Sequence, residues 1–414
     1  MDVLTPLTLA ADPDGPRAAA PTRYVDRWRL RDLPDPATVD ALYGGSAPTI
    51  TVTQTSTPTS GYVLYRPPGV TLTGTDVAGA FTMLGAGEFA IGTGTPDSTY
   101  VLPTSRYPHT RGTLTSSQST WALEFATDAA TMQVRVNYQT ASAYRLYLDG
   151  RKLADAMTPL GGSTAGNTHM MTVAFGSAVP RIVRLDVSTM PFGGVYLPST
   201  GGLWSTVAQG GRLMAFGDSL TDGSNQNAGG GAGTWFYRAG RLLGSSDLWE
   251  QARGGTGYIT PGSYATLPDR VAADVIAYKP DRLIIWAGYN DNQGSQSAIG
   301  SAAAGMYAQI KASLPACEVF VIGCWCPTAT AATSIVNTDA TLRVAAVGAG
   351  FPFVSPVTGS VYGADGGLVG SQGPWITSGN AAGYVGADGV HPTEAGHVYL
   401  SRRITTAIRQ TMPA

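Results

Sequence analysis

Apolar and polar positions follow two different periods along this chain of 414 residues. Between 49 and 204 they alternate with a period of two. The runs Tyr62–Arg66, Trp121–Ala126, Met132–Tyr138, Tyr144–Leu148, Met170–Phe175 and Arg181–Val187 set Val, Tyr, Leu and Met against polar neighbours. That is the pattern of strands with one buried face. Asp149-Gly150, between two such runs, signals a tight hairpin. Short strands separated by turn residues predict an all-β sandwich of jelly-roll-like type.

From about residue 205 the pattern changes. Leu213–Phe216, Leu248–Ala252, Leu283–Ala287, Val319–Cys324 and Phe353–Ser355 are continuous apolar runs, as expected for strands covered on both faces. Amphipathic stretches separate them at Trp235–Leu243, Arg270–Tyr278, Ser301–Leu314 and Asp339–Val347, and a last one covers Thr393–Thr411. This alternation predicts an open α/β sheet with helices on both faces. Such sheets bind ligands beyond the carboxyl ends of their strands. The chain therefore divides into an arm at 1–48, a β domain for binding or assembly at 49–204 and an α/β domain at 205–414.

The arm is rich in Pro, Ala, Asp and Arg. Arg23, Arg27, Arg29 and Arg31 interleave with Tyr24, Trp28 and Leu30. The plain expectation is one solvated helix or strand; the functional one is a segment that docks the chain onto a larger assembly.

Composition narrows the class. Hydrophobic residues make up 43% of the chain, too many for a disordered one. Charged residues are only 13%, and Gly 53 with Pro 27 point to many turns. The net charge of -2 leaves no basic footprint for nucleic acid. The longest apolar runs fall short of the roughly 18 residues of a membrane span. Residues 1–12 show neither the basic nor the apolar region of a secretory signal. Cys317, Cys324 and Cys326 form an odd cluster in one apolar run, which reads as buried free thiols and not as a disulfide framework. No His lies beside them to complete a zinc site, and no metal or cofactor is expected.

The polar residues placed just beyond the expected strands carry the chemistry. They are Gly217-Asp218-Ser219-Leu220, Arg253-Gly254-Gly255-Thr256-Gly257, Gly288-Tyr289-Asn290-Asp291 and Asp388-Gly389-Val390-His391-Pro392. In a doubly wound sheet these places converge. The residue types suit acyl transfer. Ser219 serves as nucleophile when His391 takes its proton, and Asp388 holds the imidazole tautomer. The backbone N–H groups of Ser219 and Gly255 and the side-chain amide of Asn290 are candidate donors to an oxyanion. Asp218, Asp222 and Asp291 are expected to fix loops by hydrogen bonds. His397 is read as a surface or packing residue. Thr221 in place of a second glycine separates the serine loop from the G-x-S-x-G elbow.

Gly217-Asp218-Ser219-Leu220 is the namesake motif of the GDSL esterases, and the chain resembles that SGNH hydrolase superfamily over roughly 207–414. The four blocks occur in the family's order, each after an expected strand. The resemblance implies a flavodoxin-like three-layer domain, a Ser219–His391–Asp388 triad and a metal-free oxyanion hole of Ser219, a glycine and Asn290. That glycine is Gly254 or Gly255, the surrounding residues favouring Gly255. Members of the family hydrolyse esters or acetyl groups of lipids, glycans and small acyl compounds.

The expected activity is thus a serine esterase removing acetyl or short acyl groups from a glycan, glycolipid or small ester. Tyr258, Tyr289 and Trp375 are expected to border the site with the polar stretch 221–234, and aromatic faces beside polar loops suit sugar rings. The added β-sandwich is similar to the arrangement of some bacterial carbohydrate esterases. A second expectation comes from the arm, the β-rich segment and the missing signal. They look like a phage tail component, a homo-oligomeric virion protein docked to other virion proteins through 1–48. Such a protein is located in the virion, and its hydrolase trims the host envelope or is vestigial.

Overall fold

The computed structural model describes residues 42–91, 97–103, 120–223 and 233–412. The arginine-rich stretch from Arg23 to Arg31, His109 and most of the polar stretch at 221–234 lie outside the described residues. The docking role expected of the arm falls on that part of the chain. The described residues group into two compact units that meet in sequence between Ala208 and Gln209.

The first unit is a sandwich of two mainly antiparallel sheets. One runs in the order Thr49–Gln54, Thr168–Ala174, Thr131–Asn137, Phe192–Pro198, Tyr62–Arg66, Val77–Ala78. The other runs Arg151–Lys152, Ala143–Leu148, Arg181–Ser188, Thr120–Thr127, Leu203–Trp204. Alternate residues such as Val134, Val136, Met171 and Val195 from one sheet, and Leu123, Phe125, Leu146 and Leu185 from the other, are buried. Phe81 packs edge-on against Phe125 of the second sheet at 5.4 Å and against Phe192 of the first at 5.1 Å. The two sheets therefore enclose one core. Asp149 and Gly150 have φ of 49° and 81°, the double positive φ of the hairpin expected there.

The six strands expected here all form. Phe192–Pro198 was not anticipated, because Gly193-Gly194 reads as a turn. In the fold a Cβ at Gly194 would come within 2.3 Å of the Tyr65 carbonyl, and φ there is 114°. The glycines mark a close backbone approach at a β-bulge, not a chain reversal.

The second unit is a three-layer α/β domain. Its strands are β1 (Arg212–Gly217), β2 (Asp247–Ala252), β3 (Arg282–Trp286), β4 (Glu318–Ile322), β5 (Phe353–Val354), β6 (Ser360–Tyr362) and β7 (Leu368–Ser371). They lie in the order β2-β1-β3-β4-β5-β6-β7. The first five are mutually parallel, and β6 and β7 return antiparallel at the edge. The helices are α1 (Ser219–Asp222), α2 (Trp235–Leu242), α3 (Leu267–Asp274), α4 (Gln296–Ser313), α5 (Thr333–Gly348), α6 (Ala381–Tyr384) and α7 (Glu394–Thr411).

Helix α2 packs against α7, while α4 packs against both α3 and α5. Leu213, Ala215, Ile284, Trp286, Phe320 and Ile322 join α2 and α7 in one core cluster. The intervening Met214, Phe216, Leu283, Ile285 and Val321 are buried as well. Covering both faces explains the unbroken apolar runs. Three expected helices begin earlier than their apolar period shows. Thr266 and Ser295 accept hydrogen bonds as N-caps of α3 and α4. The first turn of α4, Gln296-Ser297-Ala298, carries little amphipathic signal. The expected helix Arg270–Tyr278 is α3 followed by a 3₁₀ turn at Ile276–Tyr278.

The order β2-β1-β3 reverses direction at β1. In such sheets the crevice that takes ligands opens beyond the carboxyl ends of the strands at this switch point. Ser219 follows β1 and Asn290 follows β3.

Candidate active site

Ser219 opens α1. The N-cap is Asp218, whose carboxylate accepts from the Leu220 N–H at 3.0 Å, and Gly223 ends the helix in the left-handed region at φ 79°. Gly217 has no substitute, because a Cβ there would lie 2.4 Å from the Trp286 carbonyl. The short helix therefore starts hard against the end of β3.

His391 comes from the loop ahead of α7. Its Nε2 lies 2.8 Å from Ser219 Oγ, and its Nδ1 lies 2.7 Å from Asp388 Oδ2. The other oxygen of Asp388 accepts the backbone N–H groups of Val390 and His391, each at 3.0 Å. Gly389, at φ 72°, makes the turn between them. Partial burial raises the Asp388 carboxyl. The N–H bonds and the imidazole outweigh that and hold it down at about 2. Asp388 is thus an ionised acceptor that fixes a proton on Nδ1 and leaves Nε2 free to take one.

Asn290 donates its side-chain N–H to the Thr256 carbonyl at 2.9 Å and makes a longer contact, 3.4 Å, with Asp218. It thereby links the loop after β2 with the residue before Ser219. Gly255 is at φ 75° with open space around it. Among the described residues the amides of Gly254 and Gly255 make no hydrogen bond within the chain. The expected roles of Asp218 and Asp291 as loop anchors match their bonds. Asp291 accepts from the N–H groups of Tyr258, Ile259 and Thr260 at 2.7, 3.1 and 3.0 Å. Burial, with the charges of Asp222 and Asp291, pushes the Asp218 carboxyl up to about 8.

Two of the aromatics expected at the rim are not there. Tyr258 is buried, its hydroxyl 2.5 Å from that of Tyr307. Trp375 is buried edge-on against Trp286 at 5.9 Å. Both rings turn from their loops into the core of the domain. Tyr289 is partly exposed and packs on Cys324, Cys326 and Ile335. Of the two roles expected for His397, packing is the one it takes. It is buried, and its Nδ1 accepts the Trp235 N–H at 3.1 Å, capping α2. All three cysteines are free; Cys324 and Cys326 are buried and Cys317 is half-buried.

Sequence reading passed over two residues that touch these loops. Trp325, at the end of β4, donates its indole N–H to the Val390 carbonyl at 2.8 Å. Arg270, in α3, donates to the Gly217 carbonyl at 2.7 Å. Neither has a local signal, since each contact joins segments far apart in sequence. Among the described residues no group of three or more metal-binding side chains comes together. No helix among them is long and apolar enough to cross a membrane.

Comparison with known proteins supports an ester hydrolase. Residues 215–399 match the GDSL-like lipase/acylhydrolase family. A GDSL lipase of Mycobacterium tuberculosis is 26% identical over 204 residues, which cover 47% of this chain and 80% of that protein. The salicylyl-acyltransferase SsfX3 from a tetracycline biosynthetic pathway superposes with a TM-score of 0.57 at 17% identity, over 81% of this chain and 96% of its own. A family two carbohydrate esterase from Clostridium thermocellum, in complex with cellohexaose, superposes with a TM-score of 0.52 at 15% identity, over 69% of this chain and 91% of its own. These two likenesses are of fold, and they reach beyond the length of the α/β domain alone. Strand order, the four blocks in sequence and the match of residues 215–399 to the GDSL-like lipase/acylhydrolase family together support a GDSL-type esterase in the C-terminal half of this chain.

Proposed function

We propose that the chain hydrolyses short-chain carboxylic esters, removing acetyl or similarly small acyl groups from a glycan or glycolipid, with Ser219 as nucleophile. The observation that carries this reading is the line Ser219 Oγ, His391 Nε2, His391 Nδ1, Asp388 Oδ2, with separations of 2.8 and 2.7 Å at its ends. In this mechanism Ser219 Oγ attacks the ester carbonyl carbon while its proton passes to His391 Nε2. Ionised Asp388 stabilises the imidazolium. The carbonyl oxygen becomes an oxyanion and accepts from the Ser219 N–H, the Gly255 N–H and the Asn290 N–H that keeps only the long contact to Asp218. Collapse expels the alcohol, which takes the proton from His391 and leaves an acyl-serine. Water, deprotonated by the same imidazole, then releases the acid and restores Ser219.

The short-acyl preference is supported by the likeness of fold to a family two carbohydrate esterase. The glycan preference is supported by the added β-sandwich, a place for a polymer to bind apart from the chemistry. A chain-length series of p-nitrophenyl esters, run beside acetylated xylan and acetylated glycolipid, tests the reading. The expected result is highest kcat/KM on acetate and release of acetate from at least one acetylated sugar. Preference for chains of eight or more carbons, with no acetate released, would overturn it.

A further inference from the structure

A single buried guanidinium ties together the two loops that flank Ser219. Arg270 is 5% exposed. Its Nη2 donates to the Gly217 carbonyl at 2.7 Å and to the Thr256 hydroxyl at 3.1 Å. Its Nη1 donates to the Gln251 carbonyl at 3.1 Å and to Asp274 at 3.0 Å. The Phe216 ring centre lies 4.4 Å from the guanidinium carbon.

Each partner has a place in the site. Gly217 ends β1, two residues before Ser219. Gln251 is in β2. Thr256 follows the Gly254-Gly255 pair, and its carbonyl holds Asn290. The Thr256 hydroxyl donates onward to the Arg253 carbonyl at 2.7 Å, and the Arg253 N–H returns to the Gly217 carbonyl at 3.1 Å. The serine loop, the glycine loop and Asn290 are therefore joined through one planar group.

Burying a guanidinium is costly unless its donors are used, and apolar side chains would fill the same space more cheaply. Four of its contacts are hydrogen bonds to the ends of β1 and β2, the glycine loop and its own helix. Lysine would not reproduce them, since its three donors radiate from one point and cannot span two loops.

We propose that Arg270 is a positioning residue of the oxyanion site. By holding Gly217 and Thr256 at once, it fixes the amides of Ser219 and of the Gly254-Gly255 pair relative to each other before the ester arrives. It touches neither substrate nor reacting atoms. The inference rests on the reading of Ser219 as nucleophile given above. Its effect falls on the transition state, where the oxyanion forms, more than on ester binding.

The test compares Arg270→Met, Arg270→Lys and Thr256→Val with the unsubstituted protein. Active sites are counted by phosphonate titration, so that unfolded protein does not enter the rates. Removal of an oxyanion donor typically costs about 10²–10³ in kcat, and a loss of that order is expected for Arg270→Met with KM little changed. Arg270→Lys should recover part of it. Thr256→Val, which removes the hydroxyl's bonds to Arg270 and to the Arg253 carbonyl and keeps the shape, should lose about ten- to a hundredfold, the worth of two hydrogen bonds. Affinity for an alkyl boronic acid, which forms a tetrahedral adduct on the serine, should fall in parallel with kcat/KM. If Arg270→Met does not fold, Thr256→Val decides. Normal kcat and boronate affinity per titrated site in Thr256→Val, with only a lower melting temperature, would overturn the proposal and leave Arg270 structural. Turnover surviving in Ser219→Ala would instead overturn the nucleophile reading. The two failures are distinguishable.

Discussion

The indole N–H of Trp325 donates to the carbonyl of Val390 at 2.8 Å, one residue before His391. Trp325 is itself buried against Trp286, the two ring centres 5.8 Å apart. The loop that carries the base is thus pinned to the end of β4 as well as folded on itself through Asp388. Trp325→Phe keeps an aromatic ring, removes the donor and leaves a gap in the core where the indole was. The expected cost is about 2–3 kcal/mol of stability, the lost hydrogen bond plus the cavity. Turnover should drop several-fold, since loosening the loop moves Nε2 away from Ser219. Steady-state kinetics and a urea melt on the same preparation check both numbers, and an unchanged kcat would mean that the loop's own bonds suffice.

Asp388 sits near the surface, yet three hydrogen bonds converge on it. Asp388→Asn should leave the fold intact and lower kcat by about 10³–10⁴, as loss of the tautomer-holding acid does in other triads. The measurement is kcat across pH. A loss of less than tenfold would show that the backbone turn alone orients His391.

How much of this was legible in the sequence depends on how local each device is. Asp388-Gly389-Val390-His391 is a turn whose acid, hinge and base are adjacent, so spacing alone revealed it. The Ser219 and Asn290 blocks were legible because a parallel strand order brings strand ends together, and the order β2-β1-β3 puts these two side by side. Trp325 and Arg270 were not legible. Their bonds reach Val390 and Gly217 across tens of residues, and a buried Trp or Arg carries no periodic signal. Tyr258 and Trp375 were misread for the converse reason. Proximity to a polar loop in sequence says nothing about which way a ring points, and both point into the core. The Gly193-Gly194 strand was missed because glycine marks both a turn and a crowded backbone crossing.

Stability should depend on pH through Asp339. Its carboxyl accepts the Ser355 hydroxyl at 2.7 Å and the Cys324 N–H at 3.1 Å, and burial raises it from 3.8 to about 7. The folded chain therefore keeps a proton that the unfolded chain has lost. Its stabilisation is full below about pH 4 and is lost as pH rises to about 7, at no more than about 1.4 kcal/mol per pH unit. Asp218, raised to about 8, adds the same sign over a wider window. Asp339→Asn retains an acceptor for Cys324 and cannot ionise. Urea unfolding between pH 5 and 8 should show a shallower fall in stability for this variant. Equal slopes in the two proteins would contradict the assignment.

The proposed chemistry draws its base from His391 and its oxyanion donors from backbone and amide. Prolonged dialysis against EDTA is therefore expected to leave ester hydrolysis unchanged. Loss of activity restored by zinc would point to a different mechanism, and the comparison requires only metal-free buffers and one substrate.

The most direct measurement of the central claim is intact-mass and peptide-mass analysis after exposure to an alkyl fluorophosphonate, made on the unsubstituted protein and on Ser219→Ala. A serine activated by His391 predicts one added phosphonyl group, on the peptide carrying Ser219, together with complete loss of esterase activity. It predicts neither adduct nor activity in Ser219→Ala. An adduct on another residue, or hydrolysis persisting in Ser219→Ala, would contradict the account.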